Sequence, residues 1–191
     1  MWALQNWGVE HDILLTAKGI ASGMPIGAMV ARADLMTWGP GAHGSTYGGN
    51  PVALATLMAT VGLLEGGLIA NAAIRGREIM DELEPLVVRY PELIRDVRGK
   101  GLVIGIQFDS AATADAVPMQ CFVRGLLVLE AGEHCVRMSP PLVVRQAEGR
   151  TAVRIFGEAV AHVATHHRED VQDVSDAIRA GHATEGFGAS G

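Results

Sequence analysis

Lysine is scarce in this chain: among 15 basic residues only Lys18 and Lys100 are lysines, the rest being arginines. Lys18 lies in an apolar frame, LLTAKGIASG. Burial in such a frame disfavours the charged amine, and a neutral amine is what adds to an aldehyde to give a Schiff base. Gly19 and Gly23 beside it would let a planar ligand come close to the backbone. The competing reading is a lysine that snorkels from a strand end to water. A second group of polar atoms falls in the loop PGAHGSTYGGNP, residues 40–51. The hydroxyls of Ser45 and Thr46, with backbone N–H groups opened by Gly44 and Gly48, suit a phosphate, and the helix that follows offers a positive N-terminus. A plain Gly-rich turn would look the same. Arg137 stands in CVRMSPPL, before two prolines that stiffen the backbone. A guanidinium on a rigid strand can grip a carboxylate bidentately, or it can make a structural ion pair.

Other chemistries find little support. The seven histidines form no HExxH motif and no paired-ligand spacing with acidic or Cys partners. GxSxG and GxxxxGK[ST] are absent, which removes the commonest hydrolase and NTPase readings. A net charge of -6 without any Lys/Arg cluster gives no reason to expect nucleic acid or an anionic membrane as partner. Cys121 and Cys135 are too few for a disulfide framework, pointing to buried apolar fillers and a reducing, cytoplasmic setting. The N-terminus has no basic region before an apolar stretch, and no apolar run is read as reaching the ~18 residues of a spanning helix.

The elements that must position these residues follow from pattern. With 49% hydrophobic and 19% charged residues, the chain is expected to fold as an α/β or α+β protein. Residues 1–20 read as the end of a helix, a turn at Gly8 and a strand Ile13-Leu14-Leu15 that delivers Lys18 into a Gly-bounded turn. A second strand over Ile26 to Ala31 would complete a buried hairpin. Val52 to Leu64 is small and apolar nearly all round, which predicts a buried helix. Asn71 to Tyr90 is amphipathic, with Pro85 expected to bend or end it, and reads as a connector. Beyond Asp96 come a β-rich run VRGKGLVIGIQF, a helix AATADAVPMQCFVRG, two short strands in LLVLEA and CVRMSPPLVV, and a last amphipathic helix near Gln146 to Ala164.

Taken together and in order, four segments resemble the class III pyridoxal-phosphate-dependent aminotransferases, the ornithine, 4-aminobutyrate and acetylornithine type. DILLTAKGIASGMPIGA, residues 12–28, is similar to the signature around the cofactor-binding lysine, and HGSTYGGNP, residues 43–51, to its second hallmark. VRGKGL, residues 97–102, and VRMSPPL, residues 136–142, resemble landmarks of the small domain. The resemblance runs from residue 1 to about residue 165.

That resemblance implies an α/β fold, the fold type I of pyridoxal-phosphate-dependent transferases. Residues 1–70 would be the C-terminal part of the large domain, 71–90 a connecting helix, 91–165 a small α+β C-terminal domain and 166–191 a disordered polar tail. It implies pyridoxal 5'-phosphate as cofactor, attached to Lys18, which also acts as the catalytic base. Thr46, and more weakly Ser45, would bind the phosphate, with Thr46 reaching it from the neighbouring subunit of a homodimer. Arg137 would hold the substrate carboxylate. The activity implied is transfer of an amino group between an amino acid or ω-amine and a 2-oxo acid. Some relatives are racemases, and a non-catalytic chain that needs a complementing subunit is a further alternative. Family members are about twice this length. The parts with no counterpart before Lys18 are a phosphate turn, an aromatic that stacks on the pyridine and an Asp that protonates the ring nitrogen. The expectation is therefore a truncated form that binds the cofactor poorly by itself.

Overall fold

The computed structural model describes residues 1–184, with side chains described as far as His166. The chain divides into two compact units, Met1–Ala70 and Asn71 onward.

In the first unit, a short 3-10 helix over Ala3–Asn6 and a turn at Gly8 lead into strand β1, Ile13–Thr16. A 3-10 turn over Lys18–Ala21 separates it from β2, Ala28–Ala31. The strands pair antiparallel, from Ile13 opposite Ala31 to Thr16 opposite Ala28. After a further 3-10 turn at Ala33–Leu35 and a long loop, helix α1 spans Pro51–Leu63. Its start is locally encoded: the Asn50 side chain accepts the Ala53 N–H at 2.9 Å, and Pro51 occupies the first turn, where its missing N–H costs nothing.

The hairpin and α1 form where the sequence places them, but neither is buried as expected. Ile13, Leu15, Val30, Val52, Leu54, Met58 and Leu63 are all exposed. The buried residues of this unit are Ile20, Ala21 and Ala53, on the 3-10 turn and on α1, two elements that pack together. Two strands and one helix have too little surface to enclose a core of their own.

Helix α1 gives way to a widened turn over Leu64–Leu68 in which Gly67 adopts φ +144°, a conformation glycine alone enters freely. Helix α2, Ile69–Arg89, follows. Taken as one stretch, Pro51–Arg89 is long and apolar enough, by length and composition, to cross a membrane. The expectation that no stretch reaches that length is corrected on length and composition alone, because the apolar residues continue from α1 through the Gly67 kink into α2.

In the second unit β3 (Ile94–Lys100) and β4 (Val103–Phe108) form a hairpin, followed by α3 (Ala111–Phe122), β5 (Leu129–Glu130), β6 (Cys135–Met138) and α4 (Gln146–Thr184). The strands make one antiparallel sheet in the order β3-β4-β6-β5, which joins the β-rich run and the two further short strands read from the sequence. Helix α4 runs past the Ala164 at which the pattern suggests an end, and residues 185–191 of the expected polar tail lie outside those described.

Pro85 does not end α2. It costs the helix the bond to the Asp81 carbonyl, but Asp81 is exposed, so water can satisfy that oxygen. The same helix supplies Ile79 and Leu83 to a core shared with Ile104, Ile106 and Phe108 of β4, Val117 and Cys121 of α3, and Phe156 and Val160 of α4. Phe108 and Phe156 meet at 6.4 Å between ring centroids. Phe156 is fully buried, so Phe156→Ala is expected to lower the stability of the second unit by about 3–5 kcal/mol. Met119→Ala, at an exposed position, should change it by less than about 0.5 kcal/mol. Urea titration followed by far-UV circular dichroism reads both.

Candidate functional site

Lys18 is carried at the point where β1 ends. Ala17 is extended, then Lys18 turns into the left-handed region at φ +57° and starts the 3-10 turn. Ser22 closes the same turn, also left-handed, at φ +48°. Left-handed backbone costs an ordinary L-residue about 1–2 kcal/mol, so two such residues bracketing three positions must be held by their surroundings. The holding contacts are visible. Ile20 N–H bonds the Ala17 carbonyl at 3.3 Å, Ser22 N–H the Gly19 carbonyl at 3.2 Å and Met24 N–H the Ala21 carbonyl at 3.0 Å.

The Lys18 side chain is exposed, which corrects the expectation of a buried amine. Of the apolar residues around it in sequence, Leu15 is itself exposed, and only Ile20 and Ala21 are buried. No hydrogen bond or ion pair ties its amine among the described residues, and a Cβ built on Gly19 or Gly23 would meet nothing within 4 Å. Exposure alone also fits a snorkelling lysine. The left-handed backbone, shared with Ser22, marks a turn whose conformation is set by its surroundings.

The loop before α1 is only partly as the sequence suggests. Ser45 Oγ accepts the Gly48 N–H at 3.0 Å, so that hydroxyl and that amide already satisfy each other. Gly48 is needed there: a Cβ would lie 2.9 Å from Ser45 Cβ. The Ala53 N–H, which a helix N-terminus could offer to an anion, is taken by Asn50. Thr46 remains exposed, its hydroxyl without a hydrogen bond among the described residues. Of the two hydroxyl candidates, Thr46 is the one left available.

Arg137 belongs to the second unit. On β6 it is exposed between buried Val136 and Met138, so its side chain leaves the sheet on the face opposite the core. Directly across on β4 stands Gly105, which offers no side chain beside the guanidinium, while on β5 the partner is Leu129, whose apolar side chain lies on the same face. Asn71 fixes the backbone beyond the two prolines, its Nδ2 donating to the carbonyls of Leu142 at 2.7 Å and Val144 at 3.1 Å. Among the described residues Arg137 forms no ion pair, so a structural salt bridge is not made among them.

Two features escaped the sequence. Arg32 bonds Asp12 at 2.9 Å and Asp34 through two nitrogens at 3.0 and 2.5 Å, fastening the open end of the β1–β2 hairpin. Its guanidinium pulls the Asp34 carboxyl below the usual range. Register could have signalled it, since pairing Ile13 with Ala31 sets residues 12 and 32 side by side. The second is a hydroxyl pair, Ser22 and Thr60, 2.9 Å apart. Cys121 and Cys135 are buried, and burial pushes the Cys121 thiol up to about 11, which keeps it unreactive. Among the described residues no group of three His, Cys, Asp or Glu could hold a metal ion.

Residues 1–160 match the family Aminotransferase class-III. The chain is 40% identical over 167 residues to the acetylornithine aminotransferase of Thermosynechococcus vestitus, covering 86% of this chain and 40% of that protein. It is 35% identical over 163 residues to that of Bacillus subtilis, covering 84% and 41%. Among solved structures it superposes on an acetylornithine aminotransferase from Elizabethkingia anophelis with a TM-score of 0.76 and 31% identity, over 84% of this chain and 41% of that one. An ornithine aminotransferase from Toxoplasma gondii gives a TM-score of 0.74 and 33% identity, over 81% and 38%. The chain thus spans 40% of the length of the first of these curated relatives.

Proposed function

The chain belongs to the class III aminotransferase family, and from that premise we propose that it carries the lysine-bearing part of a fold-type I, pyridoxal-phosphate-dependent aminotransferase. The reaction is transfer of an amino group between an amino acid or ω-amine, of the 4-aminobutyrate or ornithine type, and a 2-oxo acid. The single observation that carries this reading is the Lys18 amine: exposed, free of any acidic partner among the described residues, and set on a left-handed backbone between a strand and a turn packed on α1.

The residues present fit the cofactor. Lys18 Nζ would hold it covalently, and Thr46 Oγ1 of the neighbouring subunit would donate to its phosphate. Ser45 takes the lesser part because its oxygen already accepts from Gly48. When bound, pyridoxal phosphate supplies an electron sink that acidifies the substrate Cα–H. Once the substrate amine has displaced it from the cofactor, the freed Lys18 Nζ would accept that proton and give it back, a role an unpaired amine can fill. Arg137 grips the substrate carboxylate with two parallel N–H donors, the arrangement its planar fork favours. The working assembly is a cytoplasmic homodimer with a shared active site, with neither nucleic acid nor membrane as partner.

A second reading is favoured by the exposed apolar residues of α1 and the hairpin: the chain is catalytically silent until a complementing subunit covers them.

The test is the absorbance spectrum of the purified chain after adding pyridoxal phosphate, with borohydride reduction and peptide mapping. A new band with label on Lys18 is the expected result; label spread equally over Lys18 and Lys100 would refute the reading. In an active assembly, Arg137→Ala should raise KM for substrates with an α-carboxylate about tenfold or more while leaving lysine labelling intact, consistent with the loss of a charge-assisted bond of about 1.5–3 kcal/mol. An unchanged KM would remove Arg137 from that role.

A further inference from the structure

From the geometry around the lysine turn we infer that Ser22 and Thr60 are positioning residues: their hydroxyl–hydroxyl hydrogen bond locks the Lys18–Ala21 turn onto α1 and so fixes where the Lys18 amine emerges. The inference rests on the assignment of Lys18 as the cofactor-binding lysine.

The two hydroxyls lie 2.9 Å apart and link residues 38 positions distant in the chain. The donor follows from the neighbours. Thr60 Oγ1 already donates its only hydrogen to the Thr56 carbonyl at 2.8 Å, so Ser22 donates and Thr60 accepts. This closes a chain of bonds from Ser22 through Thr60 to the α1 backbone. Ser22 is left-handed, the last residue of a turn whose first residue, Lys18, is left-handed too. Between them Ile20 and Ala21 are buried, and the turn packs on α1. The turn therefore has one apolar anchor in its middle and one polar anchor at its exit. Without the polar anchor, only backbone bonds within the turn, such as Ser22 N–H to the Gly19 carbonyl, hold Ser22 in its strained backbone, and the turn can relax towards ordinary φ, swinging Lys18 with it. Helix α1 begins directly after the loop that carries Thr46, so the same contact fixes the lysine turn against the helix that follows the candidate phosphate loop.

Three variants separate the hydroxyl from shape and from strain. Thr60→Val keeps the volume and removes the acceptor, Thr60→Ser keeps the acceptor, and Ser22→Gly removes the donor while permitting the left-handed backbone. Two measurements are made on the full chain: hydrogen exchange of the Ile20, Ser22 and Met24 amides, and the Lys18-to-Lys100 labelling ratio with pyridoxal phosphate and borohydride. Thr60→Val should speed exchange at those amides and lower the labelling ratio, each by about three- to tenfold, the range of one hydrogen bond's net worth. Ser22→Gly should lower the ratio, and Thr60→Ser should restore both to the parent values. Unchanged exchange in Thr60→Val overturns the lock. Faster exchange with an unchanged ratio overturns the positioning role while leaving the lysine assignment standing. A parent chain with no preference for Lys18 overturns the assignment and the positioning role together.

Discussion

Gly76→Ala is expected to destabilise the second unit by about 3 kcal/mol or more, the upper end of overpacking penalties. Gly76 lies on α2 where the helix passes the β3–β4 turn, and a Cβ there would stand 1.9 Å from the Gly101 carbonyl oxygen and 2.4 Å from its carbon. Both are backbone atoms, so no rotamer change relieves the clash. Gly101 cannot easily yield either, since it makes the tight turn between the strands at φ +56°. The sign is what makes the result diagnostic. In an open helix, glycine to alanine gains up to about 1 kcal/mol through propensity. Gly62→Ala, in α1 with nothing within 4 Å of the built Cβ, should show that gain. Urea titrations of both variants, read by far-UV circular dichroism, give the comparison. If Gly76→Ala were as stable as the parent, α2 would not approach the turn this closely.

Lys18→Arg should abolish pyridoxal-phosphate labelling at position 18. Arginine keeps the positive charge and much of the length, but its guanidinium neither adds to the aldehyde nor releases a proton near neutral pH. In an active assembly the loss of a proton carrier would lower turnover by about 10²–10⁴-fold, in addition to the loss of covalent attachment. Lys100→Arg, at the exposed end of β3, should change neither. Mass mapping after borohydride reduction distinguishes the two lysines directly. Persistent specific labelling in Lys18→Arg would transfer the role to Lys100 and end the present assignment.

Much of the chain was legible before any coordinates. Helices are expected from the sequence over Val52 to Leu64 and in AATADAVPMQCFVRG, and the structure shows them there, started by the caps Asn50 and Ser110. The strands β1, β4 and β6 fall in the stretches read as strands, whereas β3 begins earlier, at Ile94, in a charged segment. The ordered motifs around Lys18, Thr46 and Arg137 sufficed to name the family, because motif order is itself a sequence property.

What the sequence could not decide was who covers whom. The apolar character of α1 predicts a wish for burial but not a partner, and in this chain most of that helix faces outward. Pro85 reads as a helix end, yet continues one, because an exposed carbonyl can turn to water and the buried Leu83 nearby anchors the turn. The left-handed Lys18 carries no local signature, since lysine does not favour that region; it follows from packing on α1 and the Ser22–Thr60 bond. The close pass of Gly76 over Gly101 and the β3-β4-β6-β5 order are likewise long-range. Local backbone chemistry and motif identity are written in neighbouring residues. Burial, strain and close approach arise between residues far apart in the chain, and only the tertiary structure brings them together.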